Sequence, residues 1–210
     1  MKKIMFFLIL LTYGLITNAQ EGDQSLYPDA GNDEYKTIFG NKKNGGYGGI
    51  HVGYMYLNET DAIVAGGQAA WIVGHSFGLG VAGRGFINDY QYNAFNEKYS
   101  LTGGYGGLLI EPIILPKFPV HLSFPVIVGA GGIATAIWQE YGYEENHYVE
   151  DADVYFAFQP GVELELNLTK FFRMSLGVNY LYTTDVELTT APPDVLNGFN
   201  GGISFKFGIF

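Results

Sequence analysis

The sequence predicts an all-β fold, an eight-stranded antiparallel up-and-down transmembrane β-barrel. Three observations carry this reading. Apolar residues recur at every second position from Asn44 to the C-terminus, the repeat of strands with two unlike faces. Charged residues make up only 15% of the 210 while glycine accounts for 30 of them, a poor fit to a soluble globular domain. The chain also opens with an export signal.

Composition removes several function classes. Aromatic content of 16% and low charge exclude a disordered chain. A net charge of −10 leaves no basic stripe for phosphates, so no nucleic-acid partner is expected. The absence of cysteine removes a disulfide scaffold, a thiolate zinc site, a cysteine nucleophile and a lipid-anchor cysteine. No cofactor is expected.

Residues 1–19 read as a signal peptide: Lys2 and Lys3, an apolar run from Ile4 to Ile16, then Thr17-Asn18-Ala19. The competing reading, a membrane anchor, needs about 20 apolar residues, and the run falls short. Cleavage after Ala19 leaves 9 basic against 21 acidic residues, net −12. Residues 20–43 hold five acids, three lysines and one proline with little periodicity. They read as a periplasmic arm, a flexible extension in preference to a folded plug. Residues 44–210 form the barrel.

Eight segments alternate. Gly45–Leu57 places Ile50, Val52, Tyr54 and Tyr56 on one face. Ala62–Gly74 ends in Trp71 and Val73, and Phe77–Asn88 aligns Phe77, Leu79, Val81 and Ile87. Tyr99–Glu111 aligns Leu101, Tyr105 and Leu109; Val120–Ala134 aligns Val120, Leu122, Phe124, Val126 and Val128. Val154–Leu168 carries Val154, Phe156, Phe158, Val162, Leu164 and Leu166. Phe172–Tyr182 carries Phe172, Met174, Leu176, Val178, Tyr180 and Tyr182, and the last segment Phe199, Ile203, Phe205, Phe207 and Ile209. Closure of eight such strands removes the exposed edges of an open sheet.

The opposite faces are polar and small. Their mid-strand charges are Arg84, Glu163, Glu165, Arg173 and Lys206. Five charges cannot solubilise a barrel wall, but they can pair inside a narrow lumen. The apolar faces are therefore expected to point outward to lipid, here the lipid of an outer membrane. Connections agree with that direction. Expected outer loops are Asn58–Asp61, Asp89–Lys98, Ile137–Asp153 and Thr183–Gly198; expected inner turns are His75-Ser76, Pro112–Pro119 and Asn167–Lys170. Aromatics gather at both ends, with Tyr54, Tyr56, Tyr180, Tyr182 and Trp138 opposite Trp71, Phe77, Phe118, Phe171 and Phe207, as interfacial girdles do. Pro160 within a strand predicts a bulge.

With its signal peptide, its eight alternating segments and its terminal Gly198-Phe-Asn-Gly-Gly-Ile-Ser-Phe-Lys-Phe-Gly-Ile-Phe210, the chain resembles the small outer-membrane β-barrel proteins of Gram-negative bacteria, the OmpX/OmpA-barrel-like, "porin-like" superfamily. The resemblance covers Asn44 to Phe210 and implies an outer-membrane location. It also implies recognition of the terminal aromatic by the barrel-assembly machinery. Phe210 is out of phase with Ile203, Phe205, Phe207 and Ile209.

Two motifs mimic chemistry. Gly74-His75-Ser76-Phe77-Gly78 fits a nucleophile elbow, but an alternating strand follows where a helix is required. Gly78-Leu-Gly80-Val-Ala-Gly83 fits a dinucleotide fingerprint, yet lies within a strand. The Ile137–Asp153 loop holds six acids and no base; Ca²⁺ binding would need an ordered ligand spacing that it lacks. Its Tyr141, Tyr143, Glu144, Glu145 and Tyr148 are candidate contacts for an extracellular partner. The expected role is non-enzymatic, structural or surface-interacting. The alternatives are a narrow pore for small solutes or ions, and a lipid-modifying barrel enzyme.

Overall fold

A computed structural model describes residues 44–92, 97–141 and 144–210, with the side chains of 138–148 also left aside. The expected signal peptide and arm lie outside the described residues. The strands are β1 (Asn44–Leu57), β2 (Thr60–Val73), β3 (Phe77–Asn88), β4 (Gln91–Tyr92), β5 (Lys98–Ile114), β6 (Val120–Ser123), β7 (Val126–Tyr141), β8 (Glu144–Asn167), β9 (Phe172–Thr183) and β10 (Gly198–Ile209). β6 and β7 make one stave interrupted at Phe124-Pro125, where proline cannot donate to a ladder. β4 is a two-residue flap on β5.

Eight staves close into a ring. β1 pairs with β2 and β10, and the chain continues antiparallel through β3, β5, β6/β7, β8 and β9 back to β10. The pairing Gly46↔Ile209 puts both ends of the ring's chain at one mouth, the terminus end. The β2–β3, β5–β6 and β8–β9 turns share that end; the β1–β2, β3–β5, β7–β8 and β9–β10 connections form the hairpin end. The β1–β2 and β2–β3 hairpins use mirror-type turns, with positive φ at Asn58 and Glu59 and at Gly74 and His75, the geometry that matches strand twist. The serine motif is therefore a turn into β3.

The alternation is read out as expected in most strands. Ile50, Val81, Val154, Leu176 and Ile209 project outward and exposed, while His51, Gln68, Glu163 and Ser204 are buried inside. β5 is the exception. Leu101, Tyr105 and Leu109 face the lumen, and Leu108 is the exposed neighbour. Glycines on both faces leave this strand's pattern ambiguous, and the pairing Val81↔Leu108 sets its phase across the ring.

Two boundaries and one expected bulge also differ from expectation. β7 and β8 run through the region 137–153 expected as a loop, reaching Tyr141↔Glu144. β5 extends to Ile114, so the expected turn Pro112–Pro119 shortens to residues 115–119. Pro160 causes no bulge: Phe158↔Tyr182 and Gly161↔Asn179 keep one register across it. The β7–β8 register shift lies instead between Thr135 and Ala136.

Candidate functional site: a filled lumen

Alternating positions project a column of side chains into the barrel, and the column has three tiers. The tier at the terminus end is ionic. Lys206 on β10 lies opposite Gly49 on β1 and Arg173 on β9. Its ammonium donates to Glu163 at 2.9 Å and also to Glu111 and Glu165. Glu165 additionally meets His121 Nε2 at 2.7 Å and Arg173 at 3.4 Å. Ser175 donates to Glu163 at 2.8 Å, and Tyr47 donates to Glu111 at 2.5 Å. Glu163 fits because its cross-strand partner is Gly177, where a Cβ would come within 2.6 Å of Glu163 Cγ.

Phe210 closes this tier. Its ring lies 3.9 Å from the Arg173 guanidinium carbon and stacks on Tyr47 with centroids 5.8 Å apart. The out-of-phase terminal residue therefore turns into the mouth, where a cation and an aromatic receive it.

The middle tier is neutral and hydrogen-bonded. Tyr105 donates to Gln159, and Gln159 and Asn179 both donate to Asn200. His51 Nδ1 and Ser204 Oγ are 2.9 Å apart. Arg84 belongs to this tier and is in no ion pair among the described residues. Its guanidinium donates to Gln68 at 2.6 Å and to the carbonyls of Gly67 and Gly83. Gln68 then donates to Tyr47, so Arg84 reaches the ionic tier only through two neutral side chains. Gly66 leaves room for it, since a Cβ there would lie 2.8 Å from Arg84 Cδ.

The tier at the hairpin end is mainly apolar, with buried Asn88 donating to Thr60 and accepting the Leu101 N–H. Met55, Leu57, Phe86, Leu101, Ile133 and Leu181 form a cup that belongs to one buried cluster. Residues 184–197 fold into it, burying Val186 and Leu196 completely. The segment is fastened at its rim. Asp153 accepts the Glu187 N–H at 2.8 Å, Asp151 accepts the Thr189 N–H at 3.0 Å, and Thr190 meets Thr135 at 2.9 Å. The backbone N–H groups of Glu187 and Val154 hold the Asp153 carboxyl below the usual carboxylate range.

Of the expected charges, the fold brings Glu163, Glu165, Arg173 and Lys206 together and leaves Arg84 apart. Sequence reasoning missed Glu111, His121 and Tyr47 as members of the cluster. Glu111 was legible only as the end of a strand, because the Pro112 that follows reads as a stop. The five contact candidates Tyr141, Tyr143, Glu144, Glu145 and Tyr148 have side chains outside the described residues.

Glu111, Glu163 and Glu165 bring carboxylate oxygens within 4.8 Å of one another, the one such acidic group among the described residues. Lys206 bonds all three and takes the place a metal cation would hold. Each carboxylate is engaged as an acceptor, so the cluster presents no free base.

No protein-family model matches the sequence, and no curated protein matches it. Solved structures do. Ail, the attachment invasion locus protein of Yersinia pestis, solved with the heparin analogue sucrose octasulfate, aligns over 79% of this chain and 97% of its own at 7% identity, TM-score 0.50. Neisserial surface protein A aligns over 79% and 95% at 11% identity, TM-score 0.46. The N-terminal β-barrel domain of Pseudomonas aeruginosa OprF aligns over 80% and 98% at 10% identity, TM-score 0.42. The closed antiparallel ring of eight staves and the match to Ail agree: this chain has the fold of the small eight-stranded outer-membrane β-barrels.

Proposed function

We propose that the chain is an outer-membrane β-barrel with a structural or surface-interaction role, neither a pore nor an enzyme. The observation that carries this reading is a wall with apolar exposed positions around a lumen filled from mouth to mouth. Ile50, Val81, Val162, Leu176 and Val178 stand on that wall, each at least 48% exposed. Such a surface is costly in water and favoured against lipid. Inside, an apolar plug, a neutral belt and an ionic cluster follow one another.

Export relies on the signal peptide of residues 1–19, and residues 20–43 form a periplasmic arm. Partners are outer-membrane lipid, the barrel-assembly machinery and an extracellular partner of unidentified chemistry. The β7–β8 hairpin is the contact surface. It runs beyond Ala157↔Thr183, where pairing with β9 ends, and so projects past that neighbour. Tyr141, Glu144, Glu145 and Tyr148 belong to these two strands, Tyr143 follows Tyr141 by two residues in the sequence, and aromatic and acidic side chains suit recognition.

The test is a denaturing gel of isolated outer membranes, boiled and unboiled, followed by planar-bilayer recording of the purified protein. A boiling-dependent mobility shift without single-channel steps is expected. A soluble periplasmic protein with no shift overturns the membrane reading. Regular conductance steps overturn the closed lumen and favour a pore.

A further inference from the structure

The terminus end carries a repeated feature that the lumen does not use. The β5–β6 turn reads Leu115-Pro-Lys117-Phe118, and the β8–β9 turn reads Leu168-Thr-Lys170-Phe171. Both are Leu-x-Lys-Phe. They are neighbours because β6 pairs with β8. Asn167 ties them together, donating its side chain to the carbonyls of Pro116 at 3.2 Å and Phe118 at 2.7 Å. Its backbone N–H adds a bond to Pro119 at 2.8 Å.

The turns are built to present these side chains. The first closes through Phe118 N–H to Leu115 O at 3.0 Å, with Leu115 at φ 57°. In the second, the N–H groups of Leu168 and Thr169 both reach Phe172 O at 3.1 Å. Leu115, Phe118, Leu168 and Phe171 are 52–62% exposed, an apolar rim at the end of the wall. Lys117 and Lys170 are exposed between them, and neither forms an ion pair among the described residues.

Charge is divided between the two ends. Outside the lumen, every acidic side chain described lies at the hairpin end, from Glu59 and Asp61 to Glu187 and Asp194. The terminus end offers Lys117 and Lys170 and no exposed acidic side chain among the described residues. A lysine flanked by leucine and phenylalanine at a membrane edge can seat its apolar neighbours in the interface and hold its ammonium at headgroup depth.

We propose that the paired Leu-x-Lys-Phe turns are a docking site for the headgroup of an anionic phospholipid in the leaflet facing the periplasm. The two ammonium groups receive the negative headgroup, and the four apolar side chains bracket its glycerol and upper acyl region. The inference rests on the outer-membrane reading above, which sets this end in that leaflet.

The experiment uses the purified full chain in nanodiscs of phosphatidylcholine with a minority of phosphatidylglycerol. The protein is stripped gently, and the retained lipids are measured by mass spectrometry. Two surface lysines give a retention preference for phosphatidylglycerol of roughly 30-fold. Lys117→Gln with Lys170→Gln abolishes it, the paired Lys→Arg variant keeps it, and Lys98→Gln at the opposite end leaves it unchanged. Normal insertion without enrichment, or equal enrichment in the Gln variant, overturns the docking site alone. Displacement by inorganic phosphate with no lipid retained also overturns it and points to a free anion. Failure to insert in these nanodiscs overturns the membrane reading itself.

Discussion

Lys206→Met tests whether the ionic tier holds the barrel together. Methionine keeps the length of the stem and deletes the charge. The substitution removes the ammonium from Glu111, Glu163 and Glu165 at once, leaving Arg173 at 3.4 Å from Glu165 as the remaining permanent cation in contact with them. The three carboxylates stay within 4.8 Å of one another and are essentially inaccessible to water. At that separation each like-charge pair repels by about 3.5 kcal/mol at an effective dielectric of about 20. Relaxation takes up part of this, and deleting one partner of a buried ion pair costs about 3–5 kcal/mol. Arg84→Met is the control. It is also buried but bonded to neutral groups, so its loss is expected at about 1–3 kcal/mol. The assay is reversible urea unfolding in lipid vesicles, followed by tryptophan emission and by boiling-dependent mobility. Equal losses for the two variants, or a Lys206→Met loss below about 1 kcal/mol, would refute the argument that ion pairing, and not simple burial, stabilises this tier.

Three further outcomes follow from the wall, the plug and the mouth. Val178→Arg, mid-wall and outward, should destabilise insertion by about 2–4 kcal/mol in vesicles; a neutral result would mean that this face meets water. Leu181→Ala opens the apolar cup and should cost about 2–5 kcal/mol, read by the same unfolding curve; an unchanged midpoint would show the cup to be loosely packed. The Asp153 carboxyl titrates below its ordinary value because it accepts the N–H groups of Glu187 and Val154. Its contribution is thus complete above the ordinary carboxylate range and is lost as pH falls through the depressed value. Amide exchange at Glu187 should accelerate on that acid limb and, in Asp153→Ala, already at neutral pH. Protection unaffected by either would remove Asp153 as a fastening of residues 184–197.

Most of the wall was legible in the sequence because a strand's side chains alternate by covalent geometry alone. Wherever an apolar row faced a polar one, as from Phe172 to Tyr182, the outward face could be read without neighbours. β5 could not be read this way. Its glycines stand in both rows, and only the register against β3 turned Tyr105 inward and Leu108 outward. Among the lumen charges, Glu163 and Glu165 announced themselves by their spacing. Glu111 did not, because its partner Lys206 is 95 residues away in the chain.

By itself the sequence determined the strand count, the antiparallel order and the apolar wall, since these rest on a local two-residue period and on short connections. Only the tertiary structure decided which charges meet, that Arg84 stands apart from the ionic tier, that residues 184–197 fill the mouth at the hairpin end, and that Phe210 turns inward over Arg173. The physical reason is ring closure. It joins β10 to β1 and sets side chains from opposite ends of the chain at one level of the lumen, where charge, hydrogen bonding and volume must be satisfied together.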